Sequence, residues 1–214
     1  MRSLVLGCLT ALTLSACAGR AAPADTPASR RREGAALRDE LLTMLEADQA
    51  IRRELMQGDF DEPPPELLER GRAVDADNLA RLRAIVREHG WPGRSLVGDE
   101  AALAALALII HADSDLAFQR ECLALIEQAM TRDDVDRAEV AALIDRVRLA
   151  SDEPQLYGTQ AELEGGVLVP LPIEDPTHVD ERRAAMGMPP LAQALAEQEA
   201  ALEAFLRAQP GDGA

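Results

Sequence analysis

Over residues 35–57 the apolar positions Leu37, Leu41, Met44, Leu45, Ile51 and Leu55 recur at intervals that line one face of a helix. The spacing predicts an amphipathic helix there, stopped by Gly58 and the "DEPPPE" that follows, with a short helical turn over 66–71. A second amphipathic helix is predicted over 74–89, ending at Gly90-Trp91-Pro92-Gly93. Asp99 reads as the N-cap of "EAALAALALIIH", a segment apolar on every side and therefore expected at the centre of the core. Further amphipathic helices are predicted over 115–130 and 136–149, with "TRDD" between them supplying caps, and helical stretches close the chain near 179–186 and 191–207. The period changes in "LYGTQAELEGGVLVPLPIED", where Gly165-Gly166 separates two extended runs and predicts a β-hairpin. Pro170 and Pro172 put their missing N–H groups on one edge, leaving the opposite edge to pair with a strand around Tyr157. The fold class is mainly α: a compact multi-helix domain with a small β-hairpin near residues 155–173. No internal repeat is visible.

Several predicted helices carry polar residues where apolar ones are expected. Asp48 and Arg52 fall on the stripe of Leu41, Leu45 and Leu55, one turn apart. Asn78 and His89 share the side of Val74, Leu82 and Ile85. His111 closes the apolar helix and is followed by Asp113, Asp115 and Gln119, while Asp145 borders the face of Val140, Ile144 and Val147. A buried polar group left unpaired costs about 1–3 kcal/mol, so these residues are expected to find one another or water. One shared polar pocket is the economical expectation.

The beginning of the chain changes the picture of where such a domain resides. Arg2 precedes an apolar stretch from Leu4 to Leu14, too short to span a bilayer as a helix. It ends in Leu14-Ser15-Ala16-Cys17, which resembles the lipobox of bacterial lipoproteins and implies lipidation at Cys17. The expectation is a signal peptide over 1–16, a lipidated cysteine and disordered tether over 17–33, a helical domain over 34–208, and a flexible tail over 209–214. Ala18 stands where an aspartate typically retains such proteins at the inner membrane. An outer-membrane anchor facing the periplasm is therefore expected, the membrane being a partner through the lipid. Cys8 would leave with the signal, so Cys122 would remain alone and, amid Phe118, Leu125 and Ile126, reads as a buried inert thiol. All 22 basic residues are arginine against 38 acidic ones, a net charge of −16, which disfavours nucleic acid as a partner.

"DQAIRRE", "NLARLRAIVREHGWPG", "HADSDLAFQ", "DRV" and "PQLYGTQ", in that order, resemble the uncharacterised bacterial family known as domain of unknown function 6624. The resemblance covers most of residues 35–190. It implies no chemistry, but it groups Asp48, Gln49, Asn78, Trp91, His111, Asp113, Gln119, Asp145, Arg146 and the segment Gln155–Tyr157–Gln160 as one constellation. The family pattern implies a Gln just before the histidine, where this chain has Ile110. On an extended strand Gln155, Tyr157 and Thr159 would point one way, making Tyr157 either a wall of the polar pocket or a packing ring over the helical core.

Three readings of function stay open. A ligand- or partner-binding module would use a pocket around His111 and Tyr157 for a small polar ligand or an envelope protein. A metal-independent hydrolase of an envelope component would use His111 as general base, oriented by Asp113 or Asp115. A structural scaffold would use the same residues as a buried hydrogen-bond network. No recognised catalytic motif is present: "GRSLVG" does not fit Gly-x-Ser-x-Gly, and there is no His-Glu-x-x-His and no Cys pair. No cofactor is expected. No metal is expected either, since His111-x-Asp113-x-Asp115 reads more simply as N-caps for the next helix.

Overall fold

A computed structural model describes residues 26–56, 63–164 and 167–208. The expected signal peptide, Cys17, most of the expected tether, the Gly165-Gly166 turn and the 209–214 tail lie outside the described residues. The chain is mainly helical, with eight α-helices and one two-stranded antiparallel hairpin among the described residues.

The first helix, α1 (Pro27–Met56), starts eight residues before the predicted start at 35 and converts residues 27–33 of the expected tether into helix. The reason is local. The Thr26 N–H donates to Ser29 Oγ at 2.8 Å and the Ser29 N–H donates to Thr26 Oγ1 at 3.1 Å, a reciprocal N-terminal cap, with Pro27 in the first helical position. The expected turn over 66–71 and helix over 74–89 are one element, α2 (Pro65–His89). Gly71 does not interrupt it, because this position is buried against Ile51 and Leu55 of α1.

Gly90 ends α2 with φ +73, and a one-turn helix, α3 (Arg94–Val97), follows that periodicity could not register. Gly34 of α1 meets this turn so closely that an added Cβ would sit 2.4 Å from the Leu96 carbonyl oxygen. Helix α4 (Asp99–Ile110) is capped by Gly98, not by Asp99, which lies in the first turn and forms an ion pair with Arg94 at 3.1 Å. As its all-apolar composition predicts, α4 is the centre of the core: Ala101, Ala102, Ala104, Ala105, Leu106, Leu108 and Ile109 are buried, and α1, α2, α3, α5 and α6 all contact it. Its alanines let neighbouring helices approach, and Leu41, Leu82, Ile85, Ile126 and Leu143 close around it.

Helices α5 (Leu116–Met130) and α6 (Arg137–Leu149) are capped by Asp115, which accepts from the Phe118 N–H, and by Asp136, which accepts from the Ala138 and Glu139 N–H groups. Of "TRDD", Thr131 is the C-cap of α5, but the N-cap of α6 is Asp136, outside it. Asp134 instead accepts from the Ser95 N–H at 2.6 Å, tying this turn to α3. Strands β1 (Ala161–Glu164) and β2 (Val167–Pro170) pair with Glu162 opposite Val169 and Leu163 opposite Leu168. The expected third strand at Tyr157 is absent: only Gln155 joins, by a single parallel bridge to Ile173. A 3-10 turn (Pro176–His178) leads into α7 (Val179–Ala185), and α8 (Leu191–Ala208) closes the described chain. No described helix is long and apolar enough to cross a membrane.

Candidate functional site

Asp48 occupies the buried stripe of α1, which runs Gly34, Leu37, Leu41, Met44, Asp48, Ile51. A carboxylate in that position must be fully engaged to remain ionised. It is: His111, at the C-terminal cap of α4, places Nδ1 3.0 Å from each Asp48 oxygen. Arg52, one turn along α1, donates Nε to the same oxygens at 3.1 and 3.2 Å. Gln49 donates Nε2 to Oδ2 at 2.9 Å. The remaining arm of Arg52 reaches α2 and donates Nη2 to Asp75 Oδ1 at 2.9 Å. Asp48 is 0% exposed, yet the hydrogen bonds from His111 and Arg52 outweigh the effect of burial and hold its carboxyl below the ordinary range. Burial pushes Asp75 the other way, up, over the opposing Arg52 and with the Asp48 charge adding to the rise.

With Nδ1 held by Asp48, His111 has Nε2 as its unengaged ring nitrogen among the described residues. Its side chain is 22% exposed and lines a cleft of about 400 Å³ together with Arg52, Arg72, Asp75, Ala76, Asp113 and Ser114. That volume is within the range of small-molecule sites. Chemically the arrangement is a carboxylate–imidazole pair: a buried acid fixes one tautomer and orientation of a histidine whose other nitrogen can accept, donate or transfer a proton.

A second network adjoins the first. Asp113, at the cleft, receives both Arg146 Nε at 2.7 Å and Nη2 at 2.5 Å, and this guanidinium holds its carboxyl below the usual range. Arg146 also reaches Gln160 Oε1 at 3.4 Å. One residue earlier on α6, the buried Asp145 carboxylate gathers the loop before β1: it accepts from the N–H groups of Leu156 at 2.7 Å, Tyr157 at 3.0 Å and Thr159 at 3.0 Å, and from Thr159 Oγ1 at 2.9 Å. Gln155, also fully buried, donates to the carbonyls of Gln160 and Leu171 and accepts from the Gln160 N–H. Gly158 turns this loop with φ +68, pressed against Leu191 and Ile173. Arg182 and the buried Arg183 then bind the Leu156 and Tyr157 carbonyls, each at 2.7 Å. Burial lowers the pKa of Arg183, with the negative charges of Asp180 and Asp145 opposing that drop.

The residues grouped from the sequence thus divide. His111 and Asp113 line the cleft, Asp48 and Gln49 stand behind His111, and Arg146 connects Asp113 to Gln160. Asp145 and Gln155 hold the loop instead. Gln119 caps α4, donating Nε2 to the Ile109 carbonyl at 3.0 Å. Tyr157 does not line the cleft. It lies in a loop rather than a strand and packs its ring, partly buried, against the hydrophobic core, where burial and the neighbouring Asp145 charge raise its pKa. Asn78, one turn beyond Asp75 on α2, has its Nδ2 buried with no hydrogen-bond partner among the described residues, as does Trp91 Nε1. His89 turns away and meets Glu33 at 3.3 Å. His111 is oriented by Asp48 rather than by Asp113 or Asp115, which serve Arg146 and the α5 cap.

Arg72, Asp75, Ser114 and Arg183 were not anticipated. Asp75, Asn78 and Leu82 recur at helical spacing, which could have flagged Asp75; nothing in the local pattern marks the other three. Cys122 is fully buried, and burial raises its thiol pKa to about 12, in keeping with an inert thiol. Among the described residues no group of three or more His, Cys, Asp or Glu side chains could hold a metal ion.

A family model described as "Family of unknown function (DUF6624)" matches residues 35–204, a span that holds every residue of both networks. Neither a curated protein nor a solved structure matches the chain.

Proposed function

The chain belongs to this family of unknown function, and from that premise we propose that it is a lipid-anchored bacterial envelope protein, held through Cys17 at the outer membrane and facing the periplasm, that binds a small polar ligand in the His111 cleft. The observation that carries the binding reading is the pairing of a wholly buried Asp48 with the Nδ1 of a half-buried His111 at the wall of an open cleft. Burying a carboxylate for packing alone has little to recommend it, since an apolar residue of similar volume often packs as stably. Orienting an imidazole whose free nitrogen faces ligand gives that cost a purpose.

The test is a screen of small anionic, neutral and cationic polar compounds against the full chain, read by the ring ¹⁵N resonances of His111 and by thermal stabilisation. A ligand should shift both in the wild type and neither in His111→Ala. If no compound moves His111, while His111→Ala and Asp48→Ala each lose stability, a structural scaffold replaces the binding reading. For the anchor, Cys17→Ser should release the chain from the membrane fraction; a variant that stays bound would count against lipidation. A second reading rests on the same carboxylate–imidazole geometry: metal-independent hydrolysis of an envelope component, with His111 as general base. Ester and phosphoester turnover that vanishes in His111→Ala would select it over binding alone.

A further inference from the structure

We infer that the ligand of the His111 cleft carries an oxyanion, a phosphate or carboxylate group, and that Arg72 is its principal charge partner. This inference rests on the binding reading above and specifies what the cleft takes. It follows from which charges in the cleft are already satisfied. Arg52 is shared between Asp48 and Asp75. Asp113 is covered by both arms of Arg146. Arg72, exposed on α2 and lining the cleft, has no hydrogen-bond or ion-pair partner among the described residues. The two other polar groups left without a protein partner at the cleft are the Ser114 hydroxyl, which can donate a hydrogen bond to an oxyanion, and His111 Nε2, which accepts in the Nδ1–H tautomer that Asp48 selects and donates only from the imidazolium.

The surroundings sharpen this. The chain as a whole carries a net charge of −16, so its general field repels anions. At the cleft the balance differs: its lining holds two carboxylates, Asp75 and Asp113, and two guanidinium groups, Arg52 and Arg72, and Asp113 is further covered by Arg146. A cationic ligand would meet Arg72 where the lining carboxylates, Asp75 and Asp113, are already paired with Arg52 and Arg146. A planar guanidinium with all its donors free is suited to the paired oxygens of carboxylate or phosphate.

The experiment uses the full chain with four probes: inorganic phosphate, phenyl phosphate, acetate and, as the neutral comparison, glycerol. Binding is read from His111 ring shifts across each titration. Saturable shifts are expected with at least one oxyanion and none with glycerol, and comparison of the phosphate and acetate arms tells which oxyanion chemistry the cleft prefers. Arg72→Ala should weaken oxyanion binding tenfold or more without loss of thermal stability, because Arg72 holds nothing in the fold. Arg132→Ala, an exposed arginine without a partner that does not line the cleft, should leave it unchanged. Equal affinity in Arg72→Ala and wild type would overturn the inference. So would a neutral or cationic compound that shifts His111 where oxyanions do not, and in that case the binding reading itself would stand. If no compound of any charge moves His111, both fall together.

Discussion

Replacing Asp145 with asparagine tests whether one carboxylate holds the loop that precedes the hairpin. The change keeps shape and volume but exchanges one acceptor oxygen for an amide NH₂. In the native chain Oδ1 accepts from the Leu156 and Tyr157 N–H groups, and Oδ2 from the Thr159 N–H and hydroxyl. Whichever oxygen is replaced, the new NH₂ faces donors. The less costly orientation places it at Thr159, whose hydroxyl can rotate to accept, while the Thr159 N–H is left unpaired. One unsatisfied buried donor costs about 1–3 kcal/mol, and the retained bonds lose their charge assistance, a further loss of about 1–2 kcal/mol. The expected total is about 3 kcal/mol, or a fall in Tm of roughly 6–12 °C for a chain of this size. Urea unfolding of the full chain measures it directly, as a lower midpoint at unchanged slope. A loss below about 0.5 kcal/mol, the ordinary scatter of surface substitutions, would refute the assignment of Asp145 as the anchor of this loop.

Two further outcomes follow from other buried groups. Because the folded pKa of Asp48 is depressed, its ionised form contributes stability that is fully present above the unfolded carboxylate range near pH 4 and is lost as pH falls through the folded value. Asp48→Asn should therefore flatten the acid limb of the stability profile below pH 4 in thermal melts, and an unchanged limb would contradict the pairing. Cys122, with its pKa raised to about 12, should resist alkylation by iodoacetamide at pH 8 in the folded chain and react promptly in urea. Comparable labelling rates in the two conditions would show that this thiol is accessible in the native state.

Much of this architecture is legible from periodicity because apolar spacing is a local property. The stripe of α1, the all-apolar α4 and the diglycine between two extended runs each announce an element without knowledge of its neighbours. The missed start of α1 was also local, but written in polar groups: Thr26, Pro27 and Ser29 form a cap that a search for apolar residues passes over. Polar residues on apolar faces likewise pointed to Asp48, His111 and Asp145, since burial of such groups demands partners.

Which partners they found is a different matter. Asp48 and Asp145 look alike in sequence, each an aspartate on an amphipathic helix. Arg52 reaches Asp48 from within α1, but only the packing of α1 against α4 gives Asp48 an imidazole at an open cleft, and only the return of the chain over α6 gives Asp145 the amides of a loop. The same return makes Tyr157, which the sequence left as either pocket wall or packing ring, a ring against the core, and lets Arg182 and Arg183 take the Leu156 and Tyr157 carbonyls. Sequence by itself determined that these polar groups must be satisfied, because desolvation penalises every buried charge irrespective of context. Beyond local neighbours such as Arg52, tertiary structure decided by whom, because hydrogen bonds reach only about 3 Å and depend on which distant segments are brought within that distance.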